Sequence, residues 1–137
     1  MSNTKKRTWT TYKKETKALV REFKNKLLLN NWTLNINFLN DDEIGNQVGW
    51  TSAACIDINH RYLTAEIMFY KTHYNLYKMG DDYEFKKTII HELCHILTEP
   101  LYLIARLSTP PNKEDDLETI REQSTEQLAS IIYKINK

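Results

Sequence analysis

The sequence predicts an α+β domain, and three observations carry that prediction. Helical periodicity appears near the start and again towards the end, and three segments with the two-residue alternation of strands lie between. Glycine and proline are scarce, three of each in 137 residues, which favours long regular elements over a turn-dense sandwich or barrel. With 41% apolar and 27% charged residues, a chain of this length can bury one core, so one domain is expected.

Taken in order, Thr11 to Asn30 places Ala18, Leu19, Phe23 and Leu27 among Lys and Glu as an amphipathic helix would, with Asn30-Asn31 as its stop. Trp32 to Leu39 alternates, with Trp32, Leu34, Ile36 and Phe38 on one side, as a half-buried strand does. Asp41 to Asn46 is loop chemistry. Val48 to Ile58 and Leu63 to Tyr70 read as two further strands, turning at Asn59-His60-Arg61. Lys71 to Asp82 fits a loop or a short helical turn equally well. Asp82 is a good N-cap for a helix running to Thr98, which Pro100 should end or kink before Leu101 to Leu107 continues. After Ser108-Thr109-Pro110-Pro111, a last helix runs from Asn112 to Ile135, with Glu114, Asp115 and Asp116 where the helix dipole favours carboxylates. Strands and helices are segregated along the chain, as in an α+β fold.

The net charge is +1, but residues 1 to 30 hold nine Lys or Arg against two Glu. A basic first helix can meet nucleic acid or an acidic protein partner, and residues 1–10 are expected to be flexible. No run approaches the ~18 apolar residues of a membrane span, and the basic first residues precede no apolar stretch of the kind a secretory signal needs. Two cysteines, Cys55 and Cys94, make no disulfide framework. The expectation is a cytoplasmic protein with free thiols and no membrane partner.

One string carries chemistry: His91-Glu92-Leu93-Cys94-His95, inside the helix beginning at Asp82. Residues four apart on a helix share a face, so two imidazoles so placed can converge on one ion while the Glu between them stands beside it as a base. Phe85, Ile89, Ile90, Leu93, Ile96 and Leu97 fall on one apolar side of that helix, and His91, Glu92 and His95 fall opposite. Cys94 is offset from the paired histidines and reads as a packed thiol. Two ligands make a poor zinc site, and the last helix offers Glu118, Glu122 and Glu126 at four-residue spacing. Its apolar stripe is Leu117, Ile120, Leu128, Ile131 and Ile135. His60 and His73 read as turn and loop residues, and His73, Tyr74, Tyr102 and Tyr133 are all possible oxyanion donors.

His91-Glu92-Leu93-Cys94-His95, followed by Glu122-Gln123-Ser124-Thr125-Glu126-Gln127-Leu128-Ala129, resembles the gluzincin zinc metallopeptidases. It is more closely similar to the short single-domain metallopeptidases of phages and prophages, which follow the motif with a Pro-Leu pair, here Pro100-Leu101. The resemblance covers about residues 83 to 135. It implies a zincin-like single domain over residues 1–137, with Zn2+ held by His91, His95 and Glu122. Glu92 is then the base, and Glu126 accepts a hydrogen bond from a ligating His. The gap from His95 to Glu122 is longer than in several gluzincins, and Glu126 stands where Asp is commoner, so Glu126 is the alternative ligand.

The expected function is hydrolysis of peptide bonds in a peptide or protein by a Glu92-activated water on zinc. An edge strand, Leu63 to Tyr70, would hold the substrate in extended form. The alternative is a phage-type metal-binding protein without peptidase activity that engages nucleic acid or a protein partner through its basic first helix.

Overall fold

The computed structural model describes residues 6–39 and 52–136. Among these residues are four α-helices and a small three-stranded mixed sheet, an α+β arrangement. The expected loop Asp41 to Asn46 and the first residues of the strand expected from Val48 lie outside the described residues.

Helix α1, Trp9–Lys26, starts two residues earlier than expected because Thr8 and Thr11 cap it reciprocally. The Thr11 amide donates to the Thr8 hydroxyl at 3.2 Å and the Thr8 amide to the Thr11 hydroxyl at 2.8 Å. Residues 9 and 10 are therefore the first turn of a helix, and of the stretch expected to be flexible, residues 1–5 are not described. Tyr12, Thr16, Val20 and Phe23 form its buried face. The helix ends before Asn30, because Leu28 adopts the left-handed conformation at φ 59° and the Leu29 amide reaches back to Lys24 O at 2.8 Å. Leu28 is exposed, whereas Leu29 turns into the core.

Strands β1 (Thr33–Phe38), β2 (Ala54–Asn59) and β3 (Thr64–Phe69) pair in the order β1-β3-β2. β3 is central, parallel to β1 and antiparallel to β2. Alternation puts Leu34, Ile36, Ala54, Ile56, Ala65, Ile67 and Phe69 towards the helices, and Asn35, Asn37, Asp57 and Glu66 on the other side. The hairpin turn is His60 to Leu63, one or two residues later than expected, with Leu63 left-handed at φ 53° and the Tyr62 amide donating to Asn59 Oδ1.

The stretch left open by the sequence is helix α2, Lys71–Met79, closed by Gly80 at φ 79°. His73 is not a loop residue. It is fully buried in α2, stacked between Phe69 and Phe85 with ring centroids 4.7 and 4.6 Å away. The Tyr12 hydroxyl lies 2.8 Å from its Nδ1, and the Phe85 carbonyl accepts from its Nε2 at 3.0 Å. Both ring nitrogens are thus committed to the core.

Helix α3, Asp82–Leu107, runs through Pro100 without ending. Pro100 stands on the exposed side. The helix is held to the next one on both sides of it, by Thr98 against Thr125 (3.3 Å) and by Tyr102 donating to Glu118 (2.6 Å). Tertiary contacts thus override the local penalty for an internal proline. After one 3-10 turn at Pro111–Lys113 comes α4, Glu114–Ile135. Its buried residues are Thr125 and Ala129, with Leu128, Ile132 and Tyr133 packed beside them. Of the expected stripe Leu128 packs against the core, but Ile120, Ile131 and Ile135 do not face inward, being 57, 48 and 75% exposed. Leu97 of α3 is likewise exposed. The small side chains of Thr125 and Ala129 let α4 lie close against α3, with Thr125 on Thr98, and that rotation turns Glu122 and Glu126 towards the His face of α3. No helix among the described residues is long and apolar enough to cross a membrane.

Candidate metal centre

The 3.6-residue period of α3 places His91 and His95 on one face with their ring centroids 4.9 Å apart and the planes at 80°. Glu122, from the facing turn of α4, lies between them. Its Oε2 is 3.3 Å from His91 Nε2 and its Oε1 is 3.4 Å from His95 Nε2. The ligand atoms of His91, His95 and Glu122 all lie within 4.8 Å of one another, a group that could hold a metal ion. Donor atoms around one ion at bonds of ~2.0–2.1 Å in a tetrahedron stand about 3.3 Å apart, which the two separations between Glu122 and the imidazoles match.

Glu126 is not in this group. Its Oε2 lies 2.7 Å from His91 Nδ1, the ring nitrogen facing away from the cluster, and its Oε1 lies 2.6 Å from Lys87 Nζ. Glu118, the third carboxylate at this spacing, takes the Tyr102 hydroxyl at 2.6 Å and the Arg121 guanidinium at 2.8 Å. Arg121 also pairs with Glu99 at 3.1 Å and stacks on Tyr102. His95 Nδ1 is buried with no hydrogen-bond partner among the described residues.

Electrostatics divide the carboxylates. Glu92 is 7% exposed, and burial pushes its carboxyl up to about 7, with the neighbouring Glu122 acting the same way and His91 opposing. Glu122 is held below the ordinary carboxylate range, chiefly by its hydrogen bond to His91. Burial would raise Glu126, but Lys87 and His91 outweigh it and hold it low. The two histidines diverge. Burial lowers His95 to about 4, whereas His91, despite burial, is raised by Glu122, Glu92 and Glu126.

The group opens into a cleft of about 740 Å³ bounded by α3, α4 and the edge strand β2, with Ser52 to Ile56 forming one wall. The strand beside the cleft is therefore β2. The expected Leu63 to Tyr70 is the central strand, its two sides taken by β1 and β2. None of His73, Tyr74, Tyr102 and Tyr133 lines the cleft. On its wall the Cys55 thiol meets the Tyr70 hydroxyl at 3.0 Å. Cys94 is fully buried, and burial pushes its thiol up to about 12.

Sequence reasoning missed Lys87 and Arg121, both of which line the cleft. The spacing of Lys87, four residues before His91 on the same face, was the available signal. Comparison of the chain with protein-family models, with curated proteins and with solved structures returns no match.

Proposed function

We propose that the protein is a zinc-dependent peptidase of zincin-like build, with His91, His95 and Glu122 as the ligands and Glu92 as the base. The observation that carries this reading is the placing of the His-His-Glu group and a buried Glu92 on one open cleft whose wall is an edge strand. Two imidazoles and a carboxylate suit zinc better than magnesium or calcium. Bound zinc supplies Lewis acidity, which makes water a nucleophile near pH ~7 and polarises a carbonyl.

The chain's own residues do the rest. Glu126 accepts from His91 Nδ1, so that Nε2 keeps its lone pair for the ion. Glu92 takes the proton of the attacking water and returns it to the departing amine, a task suited to a carboxyl titrating near neutrality. The outer edge of β2, which no strand among the described residues pairs, holds the substrate backbone extended across the cleft.

The test is hydrolysis of a fluorogenic peptide library alongside metal analysis. Glu92→Gln should retain about one zinc per chain and lose ~100-fold or more of the activity, since an amide takes no proton. Loss of zinc from Glu92→Gln as complete as from His91→Ala would make Glu92 structural and end this mechanism. A second reading has an observation of its own. Lys17, Arg21 and Lys24 flank a groove between α1 and β1. Steeply salt-dependent DNA binding without hydrolysis would favour a binding protein that uses α1.

A further inference from the structure

We infer that Lys87 is a positioning residue for the metal centre: it pins Glu126 so that Glu126 in turn orients the His91 imidazole. The inference rests on the metal-centre reading above. Lys87 lies one turn before His91 on α3, its side chain only 14% exposed. Its ammonium is held on three sides, by Glu126 Oε1 at 2.6 Å, by Glu84 Oε1 at 3.5 Å and by the face of Tyr83 at 4.8 Å. Tyr83 is itself braced edge-on by Tyr133 of α4.

The two oxygens of Glu126 are thus divided, one on Lys87 and the other on His91 Nδ1. This division answers a question of side-chain length. A Glu reaches a histidine through one more rotatable bond than an Asp, so without a second anchor its free oxygen sweeps an arc and the imidazole it steers turns with it. Charge-assisted bonds to both oxygens remove that freedom. None of the contacts of Lys87 given above is to a ligand atom or to the base, so its contact route to the ion runs through Glu126 and His91.

Competitive zinc titration against a chromophoric chelator, followed optically and without any activity measurement, tests the relay in the full-length protein. Lys87→Met keeps the apolar stem and should weaken zinc binding ~10-fold, the low end of what loss of a supporting residue costs. Lys87→Arg, which keeps the charge and the donors, should restore affinity to within about threefold of wild type. In a Glu126→Ala background, Lys87→Met should cause no further loss, because nothing remains for Lys87 to hold. Should Lys87→Met fold poorly, Lys87→Gln carries the same comparison. Wild-type affinity in Lys87→Met, or an equal loss in both backgrounds, overturns the relay and leaves the metal centre standing. Failure of the wild-type protein to bind zinc overturns both.

Discussion

Glu122 and Glu126 stand one helical turn apart on α4, yet the structure gives them different neighbours. Glu122 faces both Nε2 atoms, whereas Glu126 faces the far nitrogen of His91 and a lysine. A graded response follows. Glu122→Ala should abolish tight zinc binding, and Glu126→Ala should weaken it by ~10–100-fold, as loss of a supporting hydrogen bond does. Competitive zinc titration measures both, and the reverse order would make Glu126 the ligand. The paired histidines and Glu92 were legible in the sequence because the helical period alone puts them on one face. The preference for Glu122 over Glu126 came from the resemblance and from the room that Ala129 leaves for a close helix approach. The helical period alone could not supply it, since it depends on how far α4 is rotated about its axis. Thr125 and Ala129 are the residues of α4 that are buried.

At the scale of elements, α2 shows how little sequence is needed to fix a helix once its contacts are made. Only His73 and Tyr77 of its nine residues are buried, too few for a clear periodic signal. Arg7 anchors its end by donating to the Tyr77 carbonyl at 2.7 Å, and His73 ties it to α1 and α3. Burial lowers His73 from its ordinary 6.5 to about 4. Between those values the unfolded chain binds a proton that the folded chain refuses. The stabilisation is therefore complete above pH 6.5 and is lost as the pH falls towards 4, by about 3 kcal/mol. Urea melts of the chelator-treated protein across this range should show the fall. His73→Phe should be less stable at pH 7, having left Tyr12 and Phe85 without a partner, but should have a flatter pH profile. An equally steep profile in that variant would place the acid sensitivity elsewhere. Pro100 taught the opposite lesson. A strong local signal for a break was overruled by contacts between α3 and α4 on either side of it.

For the whole molecule, the α+β class was readable because helical and strand periodicities are segregated along the chain. The strand order was not, since β1 and β3 are parallel neighbours separated in the chain by β2 at the opposite edge. The exposed Ile120, Ile131 and Ile135 mark the largest departure in burial, a stripe that periodicity assigns to the core and the carboxylate face of α4 displaces from it. Because the candidate ligands come from two helices, an ion there joins α3 to α4 and should stabilise the native state by mass action. Thermal melts at fixed protein concentration should move up by several degrees with one equivalent of zinc and return on adding chelator. Coincident melts, with no zinc retained, would remove the ion from the description.

The pairing of β2 with β3 decides which backbone groups of β2 face away from the sheet. The Ala53 carbonyl accepts from the Tyr70 amide, so the odd-numbered residues of β2 turn their backbone groups towards β3, and those of Ala54, Ile56 and Ile58 point outward. Outward-facing groups recur every second residue, at intervals of roughly 6.8 Å. A chain laid along this edge can therefore advance only in steps of two residues. A slip of one residue would turn its other set of side chains towards the helices, so the strand behaves as a ruler with a two-residue scale.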